Sequence, residues 1–249
     1  MTSPDQNNAD GQRIAKYLSR AGVCSRREAE RRIADGRVSL NGQILDTPAV
    51  LVTDADTILM DEKPIPTRDK TRLWRYHKPT GLVTTHSDEQ GRKTVFDALP
   101  ADMPRVISIG RLDLNTEGLL LLTNNGELAR YLEHPDTGWN RRYRVRVFGK
   151  VDEAALKSLK KGITYEGITY RGIDAKLEST AGANSWLSVT LTEGKNREIR
   201  NVMDALELKV NRLIRVSYGP FQLGNLPDGS VEEVKRKALK SSVDKRYID

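Results

Sequence analysis

Gly110-Arg111-Leu112-Asp113-Leu114-Asn115-Thr116-Glu117-Gly118-Leu119-Leu120-Leu121 sets an arginine and an aspartate two residues apart in a glycine-flanked turn. Apolar runs lie on either side, Val106 to Ile109 before it and Leu119 to Leu122 after it, each read as a strand. In extended chain, residues two apart point to the same side, so Arg111 and Asp113 share a face. Taken alone, such a pair reads as a salt-bridged turn, and its neighbours must say whether the carboxylate has other work.

Outward from this turn the strands alternate. Tyr143, Val145 and Val147 fall on one face and Arg142, Arg144 and Arg146 on the other, and Leu187, Val189 and Leu191 repeat the spacing. The spacing predicts helices over Asp152 to Lys161, closed by Gly162, and over the segment carrying Ile199, Val202, Met203 and Leu206. The paired Ile163 to Gly167 and Ile168 to Gly172 are too few copies for a solenoid and read as neighbouring strand pieces joined at Gly167. Arg75 to Thr85 reads as two strands around Pro79-Thr80-Gly81. Strands and helices mix without a strict βαβ rhythm, which predicts an α+β fold with a mixed, largely antiparallel sheet flanked by helices.

Upstream, Ile14, Leu18 and Ala21 sit at helical spacing, Ser25 with Glu28 forms a capping box, and Gly36 is placed to stop the second helix. Val38 to Leu45 alternates around Asn41-Gly42, a strong hairpin signal. The expected boundaries are a disordered tail over 1–11, a small module over 12–62, a linker over 63–72, a larger domain over 73–232 and a charged tail over 233–249.

The chain has 249 residues and a formal charge of +7, and its basic residues cluster. Gly11 to Val50 carries eight basic residues against four acidic, and Arg141 to Lys150 carries five with none acidic. Arg26, Arg27, Arg31 and Arg32 on the second helix are either a solvated face or a set of phosphate contacts. One cysteine and three scattered histidines offer no disulfide framework and no ligand spacing for a metal. No stretch approaches a membrane span and the first residues lack an apolar leader core, so a cytoplasmic location is expected, without membrane contact. There is no Walker loop, no Gly-x-Gly-x-x-Gly, no His-Glu-x-x-His and no Gly-x-Ser-x-Gly.

Residues Ile14 to Leu18, Ala21 to Ala29, Ile33 and Gly36 to Gly42 resemble the small RNA-binding module named after ribosomal protein S4. Gly110-Arg111-Leu112-Asp113 with Thr116-x-Gly118-Leu119-Leu120 resembles the signature of pseudouridine synthases that modify ribosomal uridines one site at a time. Lys78-Pro79-x-Gly81, Arg142-Tyr143-Arg144-Val145, Leu191 to Arg200 and Leu213-Ile214-Arg215 are similar to further motifs of that family, in its order. The resemblance implies a cofactor-free isomerase of ribosomal RNA with no metal. It implies Asp113 as the carboxylate that either attacks C1′ of the ribose or removes the C2′ proton. An ionised carboxylate beside a base needs a nearby cation, which the resemblance gives as Lys195, with Arg197 as the alternative. Tyr143 is expected to stack on a flipped uracil, with Leu213 as an opposing wall or a core residue. Arg111 either fills the space that the base vacates or clamps a phosphate. The Leu191 to Arg200 and Tyr143 to Gly149 segments look nearest to the group acting on 23S rRNA of the large subunit. The alternatives are 16S rRNA, tRNA, or a non-catalytic assembly factor, and a monomer is expected.

Overall fold

The computed structural model describes residues 11–248, so the disordered tail expected over 1–11 lies, but for Gly11, outside the described residues. The N-terminal module contains β1 (Gln12–Arg13), α1 (Ile14–Arg20), α2 (Arg26–Ala34), β2 (Val38–Leu40), β3 (Gln43–Ile44), β4 (Leu51–Val52), β5 (Ile58–Met60) and β6 (Lys63–Pro64). Ser25 Oγ accepts from Glu28 N at 3.1 Å and starts α2, while the Glu28 carboxylate turns to Arg31 and Arg32 instead of closing the box. Asn41 and Gly42 take φ of +50° and +86°, which only a turn with two left-handed residues demands, and the β2–β3 hairpin forms around them. Ile14, Leu18, Ala29, Ile33 and Val38 make a separate small core.

The larger unit runs β7 (Leu73–Lys78), β8 (Ile107–Ile109), β9 (Glu117–Thr123), α3 (Gly126–Glu133), β10 (Arg141–Phe148), α4 (Glu153–Ser158), β11 (Ile163–Tyr165) and β12 (Ile168–Tyr170). It continues with β13 (Asp174–Ala181), β14 (Asn184–Leu191), α5 (Glu198–Asp204), β15 (Lys209–Tyr218), β16 (Phe221–Gln222), β17 (Val231–Glu233) and α6 (Arg236–Ser242). One sheet in the order β13-β14-β10-β15-β9-β7-β17 organises it, with β8 beside β9 and β16 beside β15. Every pairing in it is antiparallel except β9 with β15. Leu119 to Leu122 are all fully buried because β9 is covered on both faces, one cluster taking Leu120 and Leu122 and another Leu119 and Leu121. Strand β10 instead has one covered face, and its residues alternate buried and exposed along its whole length.

The parallel contact of β9 with β15 depends on Gly118, at φ +102°, where an added Cβ would sit 2.4 Å from the Arg215 carbonyl oxygen. Backbone has no rotamer with which to move aside. Gly118→Ala is therefore expected to cost about 3 kcal/mol through overlap and left-handed strain. Urea unfolding measures this, and an unchanged midpoint would show that the two strands can separate freely.

Three expectations need correcting. After Gly81 there is no second strand, only an isolated bridge between Val83 and Thr94, because Thr84 and its neighbours serve the loop described below. Residues 233–249 do not behave as a charged tail over their described part. Glu233 belongs to β17, α6 buries Leu239, Val243 packs beside it, and Tyr247 stacks on Tyr131 at 4.3 Å. Their four-residue spacing is an apolar stripe hidden among lysines and arginines. The linker also begins later than 63, since Lys63 and Pro64 pair with β5.

The two units touch at the start of α3. Lys16 Nζ lies 2.5 Å and Arg20 Nη1 3.2 Å from the two carboxylate oxygens of Glu127. Burial pushes Glu127 up, but the Lys16 bond and the surrounding cations prevail and hold it below its ordinary value. No helix among the described residues is long and apolar enough to cross a membrane.

Candidate active site

Residues 110–116 connect β8 to β9, and their backbone is tied down on every side. The Lys78 side chain, fully buried, donates from Nζ to the carbonyls of Pro79 at 2.9 Å, Asp113 at 3.2 Å and Thr116 at 2.9 Å. Burial brings its pKa down to about 8 against the opposing pull of Asp113, Glu117 and Asp228. Thr84 Oγ1 donates to the Leu112 carbonyl at 2.9 Å, Gly110 N donates to Glu133 Oε1 at 2.6 Å, and Arg200 Nη2 donates to the Asn115 carbonyl at 2.8 Å. With the main chain so occupied, the Asp113 carboxylate is free to face an open cleft.

The facing wall is built by β10 and the segment entering α5. Buried Arg141 donates from Nη1 to the carbonyls of Thr192 and Glu193 at 2.6 and 2.7 Å and from Nη2 to Tyr218 Oη at 2.8 Å. Glu198, also buried, accepts from Lys195 N at 2.9 Å, and desolvation pushes its carboxyl above the ordinary range. Between these anchors Arg197 takes a left-handed φ of +52°, uncommon outside glycine and a form of strain that clusters at functional sites. That turn carries its Nη1 to 3.8 Å from Asp113 Oδ2.

Lys195, the expected partner of Asp113, does not pair with it. Its Nζ donates to the Thr169 carbonyl at 2.5 Å, lies 3.4 Å from Glu193 Oε1 and stands over the Tyr170 ring. The physical reason is the local backbone: the left-handed residue at 197 turns that side chain toward Asp113 and leaves Lys195 on the β12 side. Arg197, the alternative, makes the contact.

Tyr143 and Leu213 lie on neighbouring strands and one face, through the pairs Tyr143 with Arg215 and Val145 with Leu213. Both are nearly buried, at 8% and 5% exposure, so their ring and methyl groups belong to the main core as well as to the cleft wall. Arg111 is exposed beside Asp113. Together Arg111, Asp113, Tyr143, Lys195, Arg197 and Leu213 line one cleft of about 1050 Å³. The arginines of α2 do not: Arg26 and Arg27 are exposed, whereas Arg31 and Arg32 are ion-paired with Glu28.

Sequence reasoning placed Lys78 and Arg200 in family motifs and Arg141 in a basic run but gave none of them an anchoring role. Lys78 carried a signal, a lysine at a core-facing position of an alternating strand.

Comparison with known proteins follows the same division of the chain. Residues 72–205 match the family described as RNA pseudouridylate synthase, and residues 12–58 match the S4 domain. An uncharacterized RNA pseudouridine synthase of Rickettsia bellii is 51% identical over 229 residues, covering 92% of this chain and 99% of its own. Ribosomal large subunit pseudouridine synthase B of Haemophilus influenzae is 43% identical over 237 residues, covering 92% of this chain and 66% of its own. The crystal structure of a pseudouridylate synthase superposes with a TM-score of 0.65 over 93% of this chain and 99% of that one, at 24% identity, a likeness of fold. A family match across more than half the chain, and a relative that shares half its residues over nearly its whole length, make this protein a member of the RNA pseudouridylate synthase family.

Proposed function

We propose that this enzyme converts a specific uridine of 23S rRNA to pseudouridine in the cytoplasm, acting as a monomer, with Asp113 as its catalytic carboxylate. The observation that carries the reading is the Asp113 carboxylate at the cleft with Arg197 Nη1 at 3.8 Å, on a loop whose carbonyls at Leu112, Asp113, Asn115 and Thr116 are each held by a side chain. The large-subunit assignment rests on the 43% identity to the Haemophilus enzyme. The reaction breaks the N1–C1′ bond and forms a C5–C1′ bond, and the C5 proton is finally exchanged for one on N1, so atoms and electrons balance within the uridine. Asp113 supports it either by attacking C1′ or by taking the C2′ proton. A base in folded RNA must leave its stack to be reached, and Tyr143 and Leu213 supply an aromatic and an apolar wall for it. Arg111, exposed beside the carboxylate, fills the gap left in the RNA or holds a phosphate, and Arg197 sets a positive charge beside Asp113. Lys195, held by Thr169 and Glu193, keeps the far rim in shape. Mapping pseudouridine in the rRNA of a deletion strain tests the proposal. One 23S position should lose the modification and regain it on complementation, and an unchanged 23S map would overturn it.

The N-terminal module is assigned RNA affinity through α2. Replacing Arg26, Arg27, Arg31 and Arg32 with Ala is expected to weaken rRNA binding and flatten its salt dependence. Each phosphate contact contributes roughly 0.7 to 0.9 to the slope of log K. Because Glu28 holds Arg31 and Arg32, most of the change should come from Arg26 and Arg27. Turnover at saturating RNA should change little. A parental slope would make the helix a solvated face, and collapsed turnover with normal binding would make the module an organiser of the cleft.

A further inference from the structure

We propose that the open face of β10, β14 and β15, on the side of the sheet away from the catalytic cleft, is a second RNA-binding surface that takes a single-stranded segment remote from the target uridine. The proposal rests on RNA being the substrate. Helices α4 and α5 pack through Leu156, Ile199, Val202 and Met203 on the face that holds Val145 and Val147, so the alternate residues of β10 are left to solvent. Those residues are Arg142, Arg144, Arg146 and Phe148. Residues two apart on a strand are separated by about 7 Å, a step comparable to that between successive phosphates of an extended strand.

The register widens this line into a patch. Arg146 stands opposite Trp186 on β14 and Arg212 on β15, and Phe148 stands opposite Lys209. Arg144 lies over the Trp186 ring at 4.7 Å, and Phe148 is 51% exposed. Of the carboxylates on this side of the sheet, Glu178 is committed to Arg144, Glu117 to Arg212, Asp174 to Lys160 and Lys176, and Glu232 to Arg75, while Asp228 lies 3.7 Å from His77 Nε2 and also acts on Arg212. Arg146 and Lys209 make no ion pair among the described residues. Unpaired cations interleaved with accessible aromatic rings are the chemistry that tracks a phosphate backbone while stacking unpaired bases. A duplex would satisfy the cations and leave Phe148 without a base to stack on, which favours a single strand.

The test uses the full-length protein, an oligouridylate of about 12 nucleotides, and an RNA hairpin around the mapped uridine with and without a single-stranded flank. Two variants read different physics. Arg146→Gln with Lys209→Gln should weaken binding of the oligouridylate and of the flanked hairpin. It should also lower the salt slope by roughly 1.4, two phosphates at about 0.7 each. Phe148→Ala should weaken the same binding roughly tenfold with the slope unchanged. Both should bind and modify the bare hairpin as the parent does. Parental affinity and slope in the variants would overturn the proposal, and so would equal losses on the bare and the flanked hairpin. Normal RNA binding combined with loss of retention on ribosomal particles would assign the face to a protein partner and overturn it as well. If the deletion strain loses no pseudouridine from its 23S rRNA, the substrate reading falls, while the oligouridylate comparison still decides the surface.

Discussion

Asp113→Asn is expected to abolish pseudouridine formation, lowering kcat by roughly 10²–10⁴-fold or more, the scale of a lost general base or nucleophile. The substitution tests chemistry and not folding, because Lys78 Nζ and Thr116 N grip the carbonyl of Asp113, which asparagine keeps. Among the described residues the carboxylate itself has only the Arg197 contact at 3.8 Å, so the amide strands no buried partner. RNA binding should survive. Single-turnover assays with saturating RNA read the effect, and turnover within about tenfold of the parent would remove Asp113 from the mechanism. The same assays separate the two cations: Arg197→Gln should lower kcat more than Lys195→Gln, since Lys195 is held by Thr169 and Glu193. The reverse order would mean that RNA binding moves Lys195 into the site.

Much of the larger unit was legible because its strands differ in burial. On β10 the alternation of arginine with Tyr143, Val145 and Val147 follows from one covered face, and the sequence states it directly. Four consecutive buried leucines on β9 announce a strand covered on both sides, yet they cannot say which neighbours cover it. The parallel pairing of β9 with β15 joins residues nearly a hundred positions apart, and its one local trace is Gly118, whose need for close approach is invisible until Arg215 is placed beside it. The C-terminal helix was missed for the opposite reason. Leu239 and Val243 sit among so many charges that average composition hides their spacing.

At the site, the cleft residues were legible as types, and their pairing was not. Lys195 and Arg197 are two residues apart, the same parity as in an extended strand, so spacing offers both to Asp113. A left-handed φ at Arg197, a property of the folded turn and not of the residue type, chooses between them. The anchors were harder still. Arg141 and Arg200 look in the sequence like further RNA-binding cations, and only the structure turns their guanidinium groups inward onto carbonyls of the chain.

Lys78 leads to the second large effect. Its ammonium is the shared partner of three carbonyls at the base of the Asp113 loop, and Lys78→Met keeps the stem while removing every donor. The Asp113 carbonyl keeps its bond from Thr116 N, but those of Pro79 and Thr116 lose their donor, and at about 1–3 kcal/mol for each buried carbonyl without a partner the domain should be destabilised by about 2 kcal/mol or more, and the loosened loop should lower kcat. The pH dependence has opposite signs for stability and for activity. The folded pKa is about 8 against 10.5 for a free lysine, so between these values the unfolded chain holds a proton that the folded one has released. Unfolding free energy from this group therefore rises with pH across the window. Activity should fall there, because the neutral amine has one donor fewer for three carbonyls and no charge beside Asp113. The expected result is a kcat profile that declines with a single ionisation near 8 while the urea midpoint does not fall with it. In Lys78→Met that limb should be missing. A parental kcat that stays flat from pH about 7 to about 9.5, or the same limb surviving in the variant, would show that the protonation of Lys78 does not govern the Asp113 loop.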